Sequence, residues 1–416
     1  MPVWHAATKE LRESGELTVI GIVQEQHPER AELFAQWQGF DWPILWDAFN
    51  LLDLSAVPIV CAVDEYGQVR STRLRPSQID EPGGLRALLL EPTFEPPKFV
   101  AAPESLLHTG LAEVSGDPAP GTPLATLQSL AFFVYGSRAE GDLSARFERG
   151  VDSLRAWAER PEALPADLFR LGVALRLRYD SPYAQESDFQ ESLDAWSKAL
   201  AGNPAQYIWR RRIQQWGPRL DKPYPFYNWV EQAAQEVTAR GEVPVALRVP
   251  LTGSERAARQ GGKAADVAAV EPDPEAGIPQ DELGWLAVSA AVAPHSGDIG
   301  KGAGKAAAAA RVHLSLTPSA EASVHWTNDA GASVVWLEAP AGWSVEPALH
   351  ELVPGGESAT SSEVRRLDFG VVRAPGAESG PAVLRGYVLA YLCSGEDGEC
   401  SYLRRDFEVE LPASQD

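Results

Sequence analysis

One methionine, three cysteines and seven histidines are all that 416 residues carry of the side chains that most often bind metals or attack as nucleophiles. The histidines (His5, His27, His108, His295, His313, His325 and His350) show no i to i+4 pairing and no cluster of ligand spacing, so neither a metal nor another cofactor is expected. Cys-x-x-Cys is absent, which excludes dithiol chemistry from a single short motif. Absent too is any apolar run of roughly 18 residues, so no span of the bilayer is expected. No segment at the start reads as a signal peptide. Positive charge is scarce: 36 Lys and Arg face 58 Asp and Glu, for a formal charge of −22. An acidic field of that size disfavours nucleic acid and anionic membrane as partners and leaves other proteins. No Gly-x-Ser-x-Gly elbow exists, and Gly300-Lys-Gly-Ala-Gly-Lys305 lacks the strand and the Gly-Lys-Ser/Thr ending of a phosphate loop.

What is present is apolar material in quantity. A hydrophobic fraction of 44% with 13 Trp is ample for cores, and the length predicts two to four domains. The chain reads as multidomain: a truncated α/β domain over 1–91, a linker over 92–123, an all-α repeat-like domain over 124–250, a flexible linker over 251–283 and an all-β sandwich over 284–416.

In the first of these, Trp4–Ser14 is amphipathic and Gly15–Val23 is a buried-strand run. Phe40–Asp47 leads to Leu54-Ser-Ala-Val-Pro58, and Ile59–Val63 is a strand closed by the turn Asp64-Glu-Tyr-Gly67. This order resembles the thioredoxin-like proteins of the TlpA/ResA and redoxin type. The resemblance implies that the chain starts just past the place of the catalytic Cys-x-x-Cys pair. It also implies Val19, Ile44 and Ile59 on neighbouring strands of one sheet, with Pro58 at its edge. Family members place a cis-proline there, which makes Pro58, with Val57, the candidate; an ordinary trans proline at a strand start is the alternative. Cys61 sits in an apolar run where a free thiol acts as a small buried hydrophobe, and His5 reads as a helix-face residue.

In the middle block, Ala166–Ala174 followed by Phe189–Pro204 resembles one tetratricopeptide repeat, although the connector Arg178–Asp188 is several residues too long. Phe147, Val151, Leu154 and Trp157 fall on one side of a helix over 145–159. The segment from Gln206 to Trp229 concentrates Arg210, Arg211, Arg212, Arg219 and Lys222 among Tyr207, Trp209, Trp216 and further aromatics. Trp209, Arg210, Arg211, Arg212, Trp216 and Arg219 are therefore candidates for gripping an acidic partner. Alternatively, the arginines pair within the chain while the aromatics fill its core.

The last block alternates apolar and polar residues over Trp285–Val288, Val312–Leu316, Val324–Thr327, Val334–Leu337, Arg366–Phe369, Val383–Tyr391 and Phe407–Leu411. Six turn-forming or acidic residues separate Cys393 from Cys400 between strand-like flanks, a hairpin spacing that can bring the sulfurs within bonding distance. A two-thiolate metal site would be incomplete. Such a bridge implies an oxidising compartment, periplasm or envelope. The closing hairpin resembles the immunoglobulin-like amino-terminal domain of the thiol:disulfide interchange protein DsbD, where two hairpin cysteines pass electrons onward. Redox transfer and a simple crosslink both stay open for this pair. His325-Trp-Thr-Asn328 reads as a strand end leading to a turn.

Two functions follow. One is a thioredoxin-like envelope protein related to thiol-disulfide oxidoreductases, inactive in this form because the Cys-x-x-Cys is absent, whose partners bear thiols or disulfides. The other is a noncatalytic adaptor. For the chain as given, insulin reduction is expected to show no turnover above background. Turnover that disappears on replacing Cys61 by Ser would overturn that expectation.

Overall fold

A computed structural model describes residues 1–64, 67–72, 74–82, 84–90, 118–217, 227–251, 255, 270–294, 309–345, 347–352, 358–374, 380–395 and 400–413. The architecture is mixed, with helices and several antiparallel sheets. The chain forms two compact units. The first comprises Met1–Asp188, Asp194–Arg211 and Trp229–Pro250; the second comprises Phe189–Leu193, Arg212–Asn228 and Leu251–Asp416. Most of the expected linker 92–123, much of 251–283, and Arg219 lie outside the described residues.

The first unit opens with α1 (Pro2–Ala7) and α2 (Lys9–Glu13), then β1 (Gly21–Val23), α3 (Pro28–Gln38) and β2 (Ile44–Trp46). β1 and β2 pair in parallel, Ile22 beside Leu45, across the α3 connection. Gly39 ends α3 at φ +65°, a left-handed cap that glycine adopts without steric cost. β3 (Ala62–Val63) and β4 (Val69–Ser71) form a separate antiparallel pair. Val19 and Ile59 thus fall outside the strands, contrary to the single sheet that the resemblance implies. The Val57–Pro58 bond is cis and both residues are exposed. A proline has no N–H for a ladder, and the stretch from Val57 to Cys61 carries no strand. Cys61 is exposed, not buried as expected, because Ile59 and Val63 around it are uncovered as well.

The helices α4 (Leu85–Leu90), α5 (Pro123–Ala131), α6 (Ser144–Ala158), α7 (Pro165–Tyr179), α8 (Asp188–Gly202), α9 (Tyr207–Trp216) and α10 (Val230–Ala239) follow. Local chemistry starts α7: Pro165 occupies its first turn, and the Asp167 carboxylate accepts the Leu164 N–H at 2.9 Å. Phe147, Val151 and Leu154 turn inward from α6 as their spacing predicts. Trp196 of α8 is fully buried and donates its indole N–H to the Phe169 carbonyl at 3.2 Å, which ties α8 to α7. The amino-terminal segment packs on these helices. Trp37 of α3 stacks parallel to Trp229, with ring centroids 5.9 Å apart, and Arg240 donates to the Trp37 and Gln36 carbonyls at 2.9 and 2.8 Å. At the start of α3, His27 Nε2 lies 2.7 Å from Asp180, which Arg176 holds at 2.7 and 3.0 Å.

Among the described residues of the second unit, ten antiparallel strands form two sheets. They are β5 (Leu286–Pro294), β6 (Ala309–Pro318), β7 (Val324–Thr327), β8 (Ser333–Glu338), β9 (Trp343–Val345), β10 (Leu349–Leu352), β11 (Thr360–Ser361), β12 (Arg365–Arg373), β13 (Ala382–Ser394) and β14 (Cys400–Leu411). One sheet runs β5-β6-β12-β9; the other runs β10-β8-β13-β7-β11, with β14 on the far side of β13. Alternate residues from both, among them Val312, Leu314 and Phe369 of one and Trp326, Val335, Leu384 and Val388 of the other, share one apolar cluster. Two helical pieces belong to this unit. Phe189 and Trp216 pack on His313, whose ring nitrogens lie 2.7 Å from the Asp368 carboxylate and 2.7 Å from the Trp216 carbonyl. The end of the expected linker is tied to β14: Arg404 exchanges backbone hydrogen bonds with Pro279 and Asp281, and its guanidinium lies 3.7 Å from the Tyr387 ring centroid.

Burial alone pushes Asp180 up, but the adjoining Arg176 and His27 outweigh it and hold the carboxyl well below the usual carboxylate range. A folded-state value below the unfolded one contributes stability that is complete above the ordinary Asp value of 3.8 and is lost as the pH falls below it. Asp180→Asn is expected to cost about 3 kcal/mol at neutral pH by leaving Arg176 buried without its carboxylate. Urea denaturation should show the gap to wild type narrowing as the pH drops through the carboxylate range; a constant gap would contradict this.

Candidate functional site

The β13–β14 hairpin positions the site. The two strands pair without interruption from Ala382↔Leu411 to Cys393↔Cys400, so the cysteines end the ladder directly opposite each other, with Cα atoms 4.0 Å apart. They are bonded to each other. Gly395, at φ +69°, leaves the end of β13, and its N–H reaches the Ser323 carbonyl at 3.1 Å, which anchors the hairpin tip to the segment entering β7.

Strand alternation decides what meets the bridge. Leu384, Val388, Ala390 and Leu392 of β13 enter the shared core, so Cys393 and Tyr391 lie on the opposite face. There Tyr391 packs against its register partner Tyr402, with ring centroids 4.3 Å apart and the planes tilted by 32°. On the other side of β13, β7 buries Val324 and Trp326 and turns His325 and Thr327 to the same face as Cys393. His325 is the register partner of Cys393. The Thr327 Oγ1 lies 2.9 Å from the Cys393 Sγ; a bonded sulfur has no hydrogen, so the hydroxyl donates. Burial, followed by the neighbouring Tyr391 phenol, pushes the Tyr402 hydroxyl above the usual phenol range, so it stays protonated and does not act as a base near neutral pH.

The two sulfurs therefore differ. Cys393 is 5% exposed and hydrogen-bonded, whereas Cys400 is exposed. Beside them, an open cleft of about 550 Å³ is lined by Ser323, His325, Thr360, Ser361, Ser362 and Gly395. Below Thr327, Asn328 donates to the Ser358 carbonyl at 2.8 Å and accepts from Arg365, which caps the buried Trp326 ring at 4.2 Å. These contacts hold the β7 end in place.

The other candidates are placed apart from this site. Pro58 and Val57 are in the first unit. Trp209 and Trp216 are buried, as is Arg212, so these three pack the interior and offer no outer surface to an acidic partner. Trp209 stacks on Phe169 at 5.3 Å and Trp216 meets Phe189. Arg210 and Arg211 are half-buried; Arg210 donates to the Pro204 carbonyl at 2.7 Å and Arg211 lies 6.0 Å from the Tyr207 ring centroid. Helical periodicity explains this outcome, since it puts Trp209, Arg212, Ile213 and Trp216 on one stripe. Among the described residues, no three His, Cys, Asp or Glu side chains cluster as a metal site requires, and no helix is long and apolar enough to cross a membrane.

Thr327 and the Tyr391–Tyr402 pair carry no motif of their own. The signal for Thr327 lay in His325-Trp-Thr-Asn328, where alternation puts His325 and Thr327 on one face. Only the register of β7 on β13 shows that this face meets a cysteine.

No protein-family model matches the chain, and no curated protein matches it. Among solved structures, the X-ray structure of Northeast Structural Genomics Consortium target SoR45 is similar at 11% sequence identity and a TM-score of 0.19, over 32% of this chain and 89% of that one. A likeness of that size carries no argument about fold or function.

Thiol counting checks the pairing. Native oxidised protein should present one reactive group, from Cys61, which Cys61→Ser removes; three groups would mean that Cys393 and Cys400 are not bonded in solution.

Proposed function

We propose that the protein takes part in thiol–disulfide exchange through Cys393–Cys400, with a thiol-bearing protein of the periplasm or envelope as partner, while its first unit is a noncatalytic platform. The observation that carries this reading is the inequality of the two cysteines: Cys400 is an exposed residue, whereas Cys393 is buried and its sulfur accepts a hydrogen bond from Thr327. Exchange requires a thiolate to approach one sulfur of the bridge while the other departs. A bridge whose only role is to crosslink gains nothing from one approachable cysteine. The paired Tyr391 and Tyr402 rings, tilted against each other, add aromatic surface two residues along the ladder from the bridge for a partner chain. An oxidising compartment suits a bridge of this kind.

For the first unit, the parallel β1–α3–β2 crossover supports a degenerate thioredoxin-like fold, although Val19 and Ile59 lie outside its strands and the β3–β4 pair is a separate sheet, and the α7–α8 packing supports a tetratricopeptide-like helix pair. With no Cys-x-x-Cys in the chain, the unit has no dithiol of its own. Its part in this reading is recognition of the partner. The immunoglobulin-like character of the second unit rests on its two antiparallel sheets over one core.

The test is reduction of the folded protein. Dithiothreitol should open Cys393–Cys400 under native conditions, with alkylation trapping two new thiols while circular dichroism stays unchanged. Reduction that occurs only as the protein unfolds would assign the bridge to stability alone and overturn the reading.

A further inference from the structure

We infer that Thr327 sets the polarity of exchange at this bridge, so that the incoming thiolate attacks Cys400 and Cys393 departs. The inference rests on the exchange reading above and adds a residue and a direction to it. Attack on a disulfide needs access to the sulfur opposite the bond that breaks. Cys393, at 5% exposure and flanked by His325 and Thr327 on β7, offers none; Cys400, at the start of β14 and exposed, does. Burial by itself would make Cys393 a poor leaving group, because a thiolate loses its hydration there. The Thr327 hydroxyl, 2.9 Å from that sulfur, supplies what water cannot.

The gain is differential. A neutral disulfide sulfur is a weak acceptor, whereas a thiolate takes a charge-assisted hydrogen bond from the same hydroxyl without either group moving far. Charge develops on Cys393 as the bond stretches, so the donor favours the transition state over the resting bridge. A lone pair of the partner thiolate forms a bond to the Cys400 Sγ, the Cys393–Cys400 bond breaks, and its electron pair stays on Cys393, facing Thr327. A second thiolate of the same partner dithiol then attacks the partner's own sulfur in the mixed disulfide and releases Cys400 as a thiolate. The partner leaves oxidised and the hairpin is reduced by two electrons.

Thr327→Val keeps the shape and removes the donor; Thr327→Ser keeps the donor. Reduction of the folded protein by dithiothreitol is expected to slow by about tenfold in Thr327→Val, the size of a lost hydrogen bond to a charged group, and to stay near wild type in Thr327→Ser. A packing defect at this position would slow neither variant or both, so rescue by Ser separates the two causes. Single-cysteine proteins, made in a Cys61→Ser background because Cys61 is free and exposed, check the direction. Cys393→Ser, which leaves Cys400, should form a mixed disulfide with a small aromatic disulfide rapidly in the folded state, and Cys400→Ser at least about tenfold more slowly. A Thr327→Val protein reduced as fast as wild type, a Thr327→Ser protein as slow as Thr327→Val, or equal trapping of the two single cysteines would overturn this inference alone. A wild-type bridge that dithiothreitol cannot open in the folded protein would overturn the exchange reading together with it.

Discussion

The long antiparallel pairing of β13 with β14 is the constraint on which the second unit depends. β13 is the spine of its sheet: β14 covers one side over its whole length, while β8 and β7 divide the other between its first and last residues. One register therefore sets three things together. It puts Leu384, Val388, Ala390 and Leu392 into the core, it ends the ladder with two cysteines face to face, and it brings Thr327 and His325 beside the first of them. Because side chains alternate faces, a slip by one residue would turn the apolar set outward and separate the sulfurs. The energy of the core thus protects the geometry of the bridge.

The first unit is organised differently. Its strands are short and none of its sheets exceeds two strands among the described residues, so sheet pairing contributes little to holding it together. Aromatic and ionic contacts hold the segments to one another instead: Trp37 on Trp229, Arg240 on the α3 carbonyls, and His27 with Asp180 and Arg176. The exposed Ile20, Ile22 and Leu45 lie along the β1–β2 pair, and Val57, Ile59 and Val63 lie around its cis-proline segment. The sequence runs read as buried strands from their composition, yet their exposure depends on what packs against them, and composition carries no information about that.

Legibility followed the range of the interactions. The strands of the second unit were readable because alternation is a local pattern: Val312–Leu316, Val324–Thr327, Val334–Leu337 and Phe407–Leu411 all lie within strands. The bridge was readable too, since six intervening residues between strand-like flanks leave a hairpin as the natural course of the chain. The basic and aromatic stretch of α9 was harder. Its composition is that of a binding surface, and only its 3.6-residue stripe, set against Phe169 on one turn and Phe189 on another, reveals that Trp209 and Trp216 are core residues. Cys61 departs from expectation for the opposite reason: its apolar neighbourhood along the chain is not an apolar neighbourhood in space.

By itself the sequence determined the mixed class of the chain, the position of most strands of its last part, the Cys393–Cys400 hairpin and the absence of a Cys-x-x-Cys pair. All of these depend on neighbours within a few residues, where periodicity and turn chemistry act directly. Tertiary structure alone decided which sulfur is buried, that a threonine 66 residues away donates to it, and which arginines and tryptophans of α9 face inward. Those outcomes depend on strand register and helix packing, which join residues that no local pattern relates.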